Sequence, residues 1–159
     1  MKTEQKRLKE SVPKRNRSVL LRSRVPTLLD RGPSLTLAYQ LTRQASQVGF
    51  DWPDIHGVLN KLDEELKEFR EALSLKDKKK AREELGDLLF VMANIGRFLR
   101  IDPERALRQT VKKFMSRFRY IETTLRKQGK SLGQSNLFEM DQLWEEAKRK
   151  KKKCINLAL

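Results

Sequence analysis

The chain has 159 residues, room for one domain and cramped for two. Its 36 Lys and Arg against 21 Asp and Glu give a formal net charge of +15, while 38% of its residues are hydrophobic. One cysteine and one histidine exclude an internal disulfide framework, a cysteine-built zinc site and most His-based metal or triad chemistry, so any bound metal has to be held by oxygen.

The charge is unevenly distributed. Residues 1–31 carry ten Lys or Arg and three Asp or Glu, a net +7, and the run KRKKKK at 148–153 adds +6. The 116 residues between them, 32–147, hold 20 basic and 18 acidic residues and are nearly balanced. Residues 1–24 read as a basic extension with too little apolar surface to offset the entropy of ordering, although Leu28 and Leu29 can pack on the domain. Residues 149–159 read as a basic, solvated tail, and 25–148 as the folded domain. No apolar h-region follows the basic start, and the most apolar run, Leu85 to Leu99, is interrupted by Asp87, Asn94 and Arg97. The expected setting is cytoplasmic, with no membrane contact.

Helical periodicity recurs along the domain and strand alternation does not. Pro33-Ser34 starts a first helix whose stripe is Leu35, Ala38, Leu41, Ala45 and Val48; Gly49 ends it, and FDWPD at 50–54 reads as an ordered turn. The second helix runs from Ile55 to about Leu75 with Val58, Leu62, Leu66, Phe69 and Leu73 on one face. The third, at about 78–100, is apolar nearly all round, as the buried centre of a bundle would be. Asp102-Pro103-Glu104 signals the start of a fourth helix bearing Leu107, Val111, Phe114, Phe118, Ile121 and Leu125, with Gly129 after it. A fifth is expected from about Asn136 to Lys150, opened by a capping box of Asn136 and Glu139. The predicted fold class is all-α, a bundle of about five helices completed by dimerisation that covers the third helix.

Four acids stand in unusual places. At about 100° per residue, Glu65 falls inside the apolar arc of the second helix and Glu68 on its flank. On the third helix, Glu84 falls between Val91 and Ile95, and Asp87 between Phe98 and Asn94. Each helix thus offers an acid pair at i, i+3 on one side. Uncompensated, a buried carboxylate costs several kcal/mol or becomes neutral, and four converging ones repel. A hard divalent cation resolves both, with Mg²⁺ the first choice and Mn²⁺ an alternative. Glu64 lies beside the group, as an outer-sphere partner or a base. Solvated, Lys-paired acids are the bland alternative, more convincing for one residue than for two pairs on consecutive helices.

The segment Lys61-Leu62-Asp63-Glu64-Glu65-Leu66-Lys67-Glu68, then 15 residues, then Glu84-Leu85-Gly86-Asp87, resembles the EExxE…ExxD pattern of MazG-type nucleoside triphosphate pyrophosphohydrolases. VGFDWPD at 48–54, EELGDLLFVMANIGRFL at 83–99, KFMSRFRYIE at 113–122 and LWEEAK at 143–148 resemble the C-terminal repeat of tandem members. The resemblance implies metal ligation by Glu65, Glu68, Glu84 and Asp87, the acids already singled out. It implies nucleotide contacts within Lys61 to Glu65, Lys80 to Glu83 and Lys113 to Arg117, and at Trp144 and Lys148. It also points to a homodimer. From the residues themselves, Lys113 and Arg117 at i, i+4 suit phosphate oxygens or form a solvated basic face. Trp144 either stacks on a base or packs with Met140 and Ala147. Asn94 either meets substrate or satisfies a buried neighbour. His56 reads as a surface residue, and Cys154 has no catalytic partner.

The expected activity is Mg²⁺-dependent hydrolysis of a nucleoside triphosphate to its monophosphate and pyrophosphate. Glu64 or Glu65 would act as base, and Lys113 and Arg117, with Lys61 and Lys80, would hold phosphates. One alternative within the fold class is an enzyme dedicated to one nucleotide, a deoxypyrimidine triphosphate or phosphoribosyl-ATP. An alternative of another class is a helical nucleic-acid-binding module acting weakly and electrostatically through the basic ends. A third is a bundle-forming interaction protein, against which the acids argue.

Overall fold

The structure, a computed structural model, describes residues 32–156, with side chains as far as Lys150. The expected extension at 1–24, with Leu28 and Leu29, lies outside the described residues, as does the side chain of Cys154. Five α-helices and one short 3₁₀ turn make up the regular structure, and no strand occurs among the described residues.

The first helix, α1 (Ser34–Gln47), begins after Pro33, whose carbonyl accepts from the Leu37 N–H at 3.1 Å. It ends before Gly49, which turns the chain at φ +89°, a value that only glycine adopts without strain. Helix α2 (Ile55–Ser74) is capped by Asp54, which accepts from the backbone N–H of His56 at 2.8 Å and of Gly57 at 3.3 Å. Asp77 does the same for α3 (Lys78–Phe98), accepting from Lys79 and Lys80 at 3.0 Å each. Helix α4 (Pro103–Lys127) opens on the proline marked by the sequence. After the 3₁₀ turn at Leu132–Gln134 comes α5 (Leu137–Asn156).

The structure alters several expectations. Asn136 caps α5 by accepting the Glu139 N–H at 2.9 Å, but the Glu139 carboxylate accepts from Lys130 Nζ and Ser135 Oγ, both at 2.8 Å, instead of closing a capping box. Helix α5 continues six residues past Lys150 to Asn156. Lysine is a good helix former, and positive charge complements a helix C-terminus. Leu73, assigned to the buried face of α2, is 55% exposed in the helix's last turn, and the neighbouring Ala72 is buried.

The described chain divides into two compact units, separated between Pro103 and Glu104. In the first, α3 packs against both α2 and α1, with Val58, Ala72 and Ala93 fully buried. Helix α3 is therefore central to this unit, but it is not buried all round. Leu85, Leu89, Met92 and Leu99 stay about half exposed, because α1 and α2 together cover only one side of it. In the second unit, Ile121 and Leu125 of α4 join Leu143 of α5 in a core flanked by Phe118, Met140 and Trp144.

Candidate metal and nucleotide site

Glu65 on α2 and Glu84 on α3 are charged residues at core positions, 5% and 6% exposed. The antiparallel run of α2 and α3, joined by the short Leu75–Asp77 connection, brings them together. Oxygen atoms of Glu65, Glu84 and the exposed Asp87 lie within 4.8 Å of one another, a separation that one cation can bridge. Glu68, half-buried, stands outside that group of three but close enough to act on it. Loss of solvent and then the charge of Glu68 raise the Glu84 carboxyl above its ordinary pKa of 4.5; Lys80 opposes the rise and Glu65 adds to it. The donor set is all carboxylate oxygen, which fits a hard divalent cation and not a soft one.

Lys61 supplies part of the missing positive charge. Its Nζ donates to Glu65 Oε1 at 2.7 Å and to Glu64 Oε1 at 3.0 Å, and the two carboxylates hold the ammonium well above its usual pKa. Glu64 is exposed and bonds only to the outer side of this group. Glu83 is exposed on α3, and Lys80 is half-buried in its first turn.

Asn94 is 2% exposed, and its Oδ1 accepts from Arg97 Nε at 2.8 Å. The Arg97 guanidinium also forks onto Asp51, with Nη1 donating to Oδ2 at 2.8 Å and Nη2 to Oδ1. This network pins the FDWPD turn to α3, at the end of the α2–α3 pair remote from the Leu75–Asp77 connection. The sequence reading missed it, since nothing in a sequence pairs two residues 46 apart. The same turn seats Trp52 on Gly57, where a Cβ would lie 2.4 Å from the indole Cδ1. His56 is exposed, as read.

Lys113, Arg117, Trp144 and Lys148 belong to the second unit. Lys113 is exposed. The Arg117 guanidinium lies 5.1 Å from the Trp144 ring centroid, and the Phe114 ring 5.3 Å from it at a tilt. Trp144 thus packs on the core and offers a face to a cation. Lys148 donates to Glu145 at 2.6 Å. No helix among the described residues is long and apolar enough to cross a membrane.

Comparison with known proteins relates the chain to nucleotide pyrophosphohydrolases. The profile of the MazG nucleotide pyrophosphohydrolase domain matches residues 54–121, a stretch containing all four acids. Over 126 residues the chain is 44% identical to the nucleoside triphosphate pyrophosphohydrolase/pyrophosphatase MazG of Thermotoga maritima, covering 79% of this chain and 48% of that protein. It is 34% identical over 119 residues to the nucleoside triphosphate pyrophosphohydrolase of Escherichia coli K12, covering 74% and 45%. A 65-residue stretch is 49% identical to the uncharacterized protein YabN of Bacillus subtilis, covering 41% and 13%. The chain spans about half the length of the first two relatives.

Proposed function

This chain belongs to the MazG nucleotide pyrophosphohydrolase family through residues 54–121, and on that premise we propose that it hydrolyses nucleoside triphosphates between the α and β phosphates, giving a monophosphate and pyrophosphate. The observation that carries the reading is the convergence of the Glu65, Glu84 and Asp87 carboxylates, two of them buried, where Lys61 offsets charge at Glu65 and a divalent cation would offset the rest.

Glu65, Glu84 and Asp87 would hold the cation, with Glu68 as fourth acid, and Mg²⁺ is the metal we assign, Mn²⁺ being its substitute. When bound, it supplies Lewis acidity to phosphate oxygen and makes an attacking water more acidic. Glu64, exposed, outside the group of three and paired with Lys61, would serve as the base where Glu65 is held as a ligand. Lys61 sits on the Glu65 carboxylate and exchanges that partner for a phosphate as substrate arrives. Lys80, Lys113 and Arg117 carry phosphate-holding roles, Arg117 as a planar fork. Asp87, Glu83, Asn94, Trp144 and Lys148 complete the nucleotide contacts of this reading, Asn94 through its position on Arg97.

The active species is read as a homodimer, because Leu85, Leu89 and Met92 leave a half-exposed apolar stripe on α3. A cytoplasmic setting belongs to the same reading. Pyrophosphate release from mixed nucleoside triphosphates in Mg²⁺ tests the activity. Wild type is expected to turn over and Glu65→Ala to lose at least about 100-fold; equal release from the two would remove the proposal. A panel of single nucleotides separates a broad enzyme from one dedicated to a deoxypyrimidine triphosphate or phosphoribosyl-ATP.

A further inference from the structure

We propose that the outer face of α4 binds the phosphate backbone of nucleic acid, without regard to base sequence and apart from the acid site. Helix α4 carries eight Lys or Arg and only two acids, Glu104 and Glu122. At about 100° per residue, Arg105, Arg108, Lys112, Arg119 and Arg126 fall within an arc of about 60°, and both acids fall outside it. Four of the five recur every seventh residue, about 10.5 Å apart, so the stripe runs for roughly 31 Å along one side of the helix. Phe118, Ile121 and Leu125, the residues this helix contributes to the core of its unit, lie on the other side.

All five cations are exposed. Arg108 approaches Glu104 only to 3.9 Å, and among the described residues Lys112, Arg119 and Arg126 enter no ion pair. An ordinary surface helix relieves such repulsion with opposite charges at i, i+4. On this helix Glu104 and Glu122 are the acids set against eight cations, so the stripe keeps a net positive charge that an anionic partner can meet. Midway along the stripe, Lys112, Met115, Ser116 and Arg119 border a shallow, open depression on the helix surface. Two cations and a hydroxyl around a depression are the donor set that phosphate oxygens take.

The partner class follows from length and polarity. A duplex presents about one negative charge per 1.7 Å of axis, so a stripe of this length meets many phosphates at once, whereas a free nucleotide meets one cluster. A membrane-lying helix needs apolar side chains at the centre of its contact face. This arc holds none, Thr123 being its remaining member; Leu107, Val111 and Phe114 are half exposed elsewhere on α4, so vesicle binding is one outcome the test has to separate.

The test uses the full chain and short labelled single-stranded and duplex oligonucleotides in anisotropy titrations over a range of salt. The variant Arg108→Gln/Lys112→Gln/Arg119→Gln is compared with the tail variant Lys151→Gln/Lys152→Gln/Lys153→Gln, which removes the same charge from the C-terminal end of α5. The stripe variant is expected to bind about tenfold or more weaker at low salt, with its log–log salt slope reduced by about 2 to 3, and the tail variant to lose clearly less. Its pyrophosphate release is expected to match wild type, which separates failure here from failure of the proposed activity. Equal losses in the two variants would reduce the effect to net charge and overturn the proposal. Unchanged binding by the stripe variant would overturn it too, as would wild type binding phosphatidylserine vesicles but no oligonucleotide. Should the triple variant melt lower than wild type, Lys112→Gln alone, at an exposed position, must reduce the slope by about 0.7 to 0.9, or the proposal fails.

Discussion

Glu84 shows how one side chain can hold fold and function in tension. It occupies a core position on α3, and burial together with Glu68 raises its pKa, so the ionised form needed for metal ligation is the one the fold disfavours. Without a divalent cation, Glu84→Gln is expected to melt above wild type, because the amide fills the same space with no charge to desolvate. On addition of Mg²⁺ or Mn²⁺, wild type should gain thermal stability and the variant should gain little. Differential scanning fluorimetry with and without the metal checks both halves, and a variant that gains as much as wild type would exclude Glu84 as a ligand. The angular positions of Glu65 and Glu84 already marked them as misplaced acids, since a helix repeats at a fixed angle whatever surrounds it. Lys61 was legible only as a cation near EExxE; that it bridges Glu64 and Glu65 depends on its rotamer.

Helix α3 illustrates what an element decides. Gly96 is buried near its C-terminus, and a Cβ there would sit 2.8 Å from the Ile101 carbonyl oxygen, a backbone atom that cannot step aside. Helix propensity alone predicts a gain of about 1 kcal/mol for Gly96→Ala. The packing reverses the sign, and a loss of about 1 to 3 kcal/mol is expected in urea melts. Gly86, on the same helix, has nothing within 4 Å of the place a methyl group would take, so Gly86→Ala should follow propensity and gain roughly 0.5 to 1 kcal/mol. Opposite signs at two glycines ten residues apart would show that tertiary contact, not helix propensity, rules the Arg97 end. The same end carries the Asp51–Arg97–Asn94 network, which neither periodicity nor spacing could have disclosed.

At the scale of the molecule, two of the exposed surfaces among the described residues bear on partners. One is the apolar stripe of α3, where Leu85, Leu89 and Met92 are 49%, 50% and 51% exposed. Leu89→Asp is expected to shift a dimer to monomer in sedimentation at micromolar concentration, since an interface cannot bury an unpaired carboxylate cheaply; a wild-type monomer at that concentration would remove the dimer from the proposal. The other is the cationic face of α4. Sequence arithmetic assigned the basic character to the two ends and described residues 32–147 as balanced. That balance is an average over elements of opposite sign, and α4 holds eight cations against two acids. Averaging along a chain hides charge that a helix gathers on one side.

The amino-acid sequence by itself determined the helical class, the starts of α2, α3 and α4, and the two acid pairs, because capping, the 3.6-residue repeat and the spacing of ligands are local properties. Tertiary structure decided which of those acids share a point in space: Glu65, Glu84 and Asp87 converge, while Glu68 stands outside their group and acts on Glu84 by its charge. It also decided that Asn94 serves Arg97, that Leu73 stays in solvent and that α3 is covered on one side only. These depend on the register of α2 against α3 and on what each helix meets across the chain. Local periodicity marks the face a residue occupies, and only packing decides what lies opposite that face.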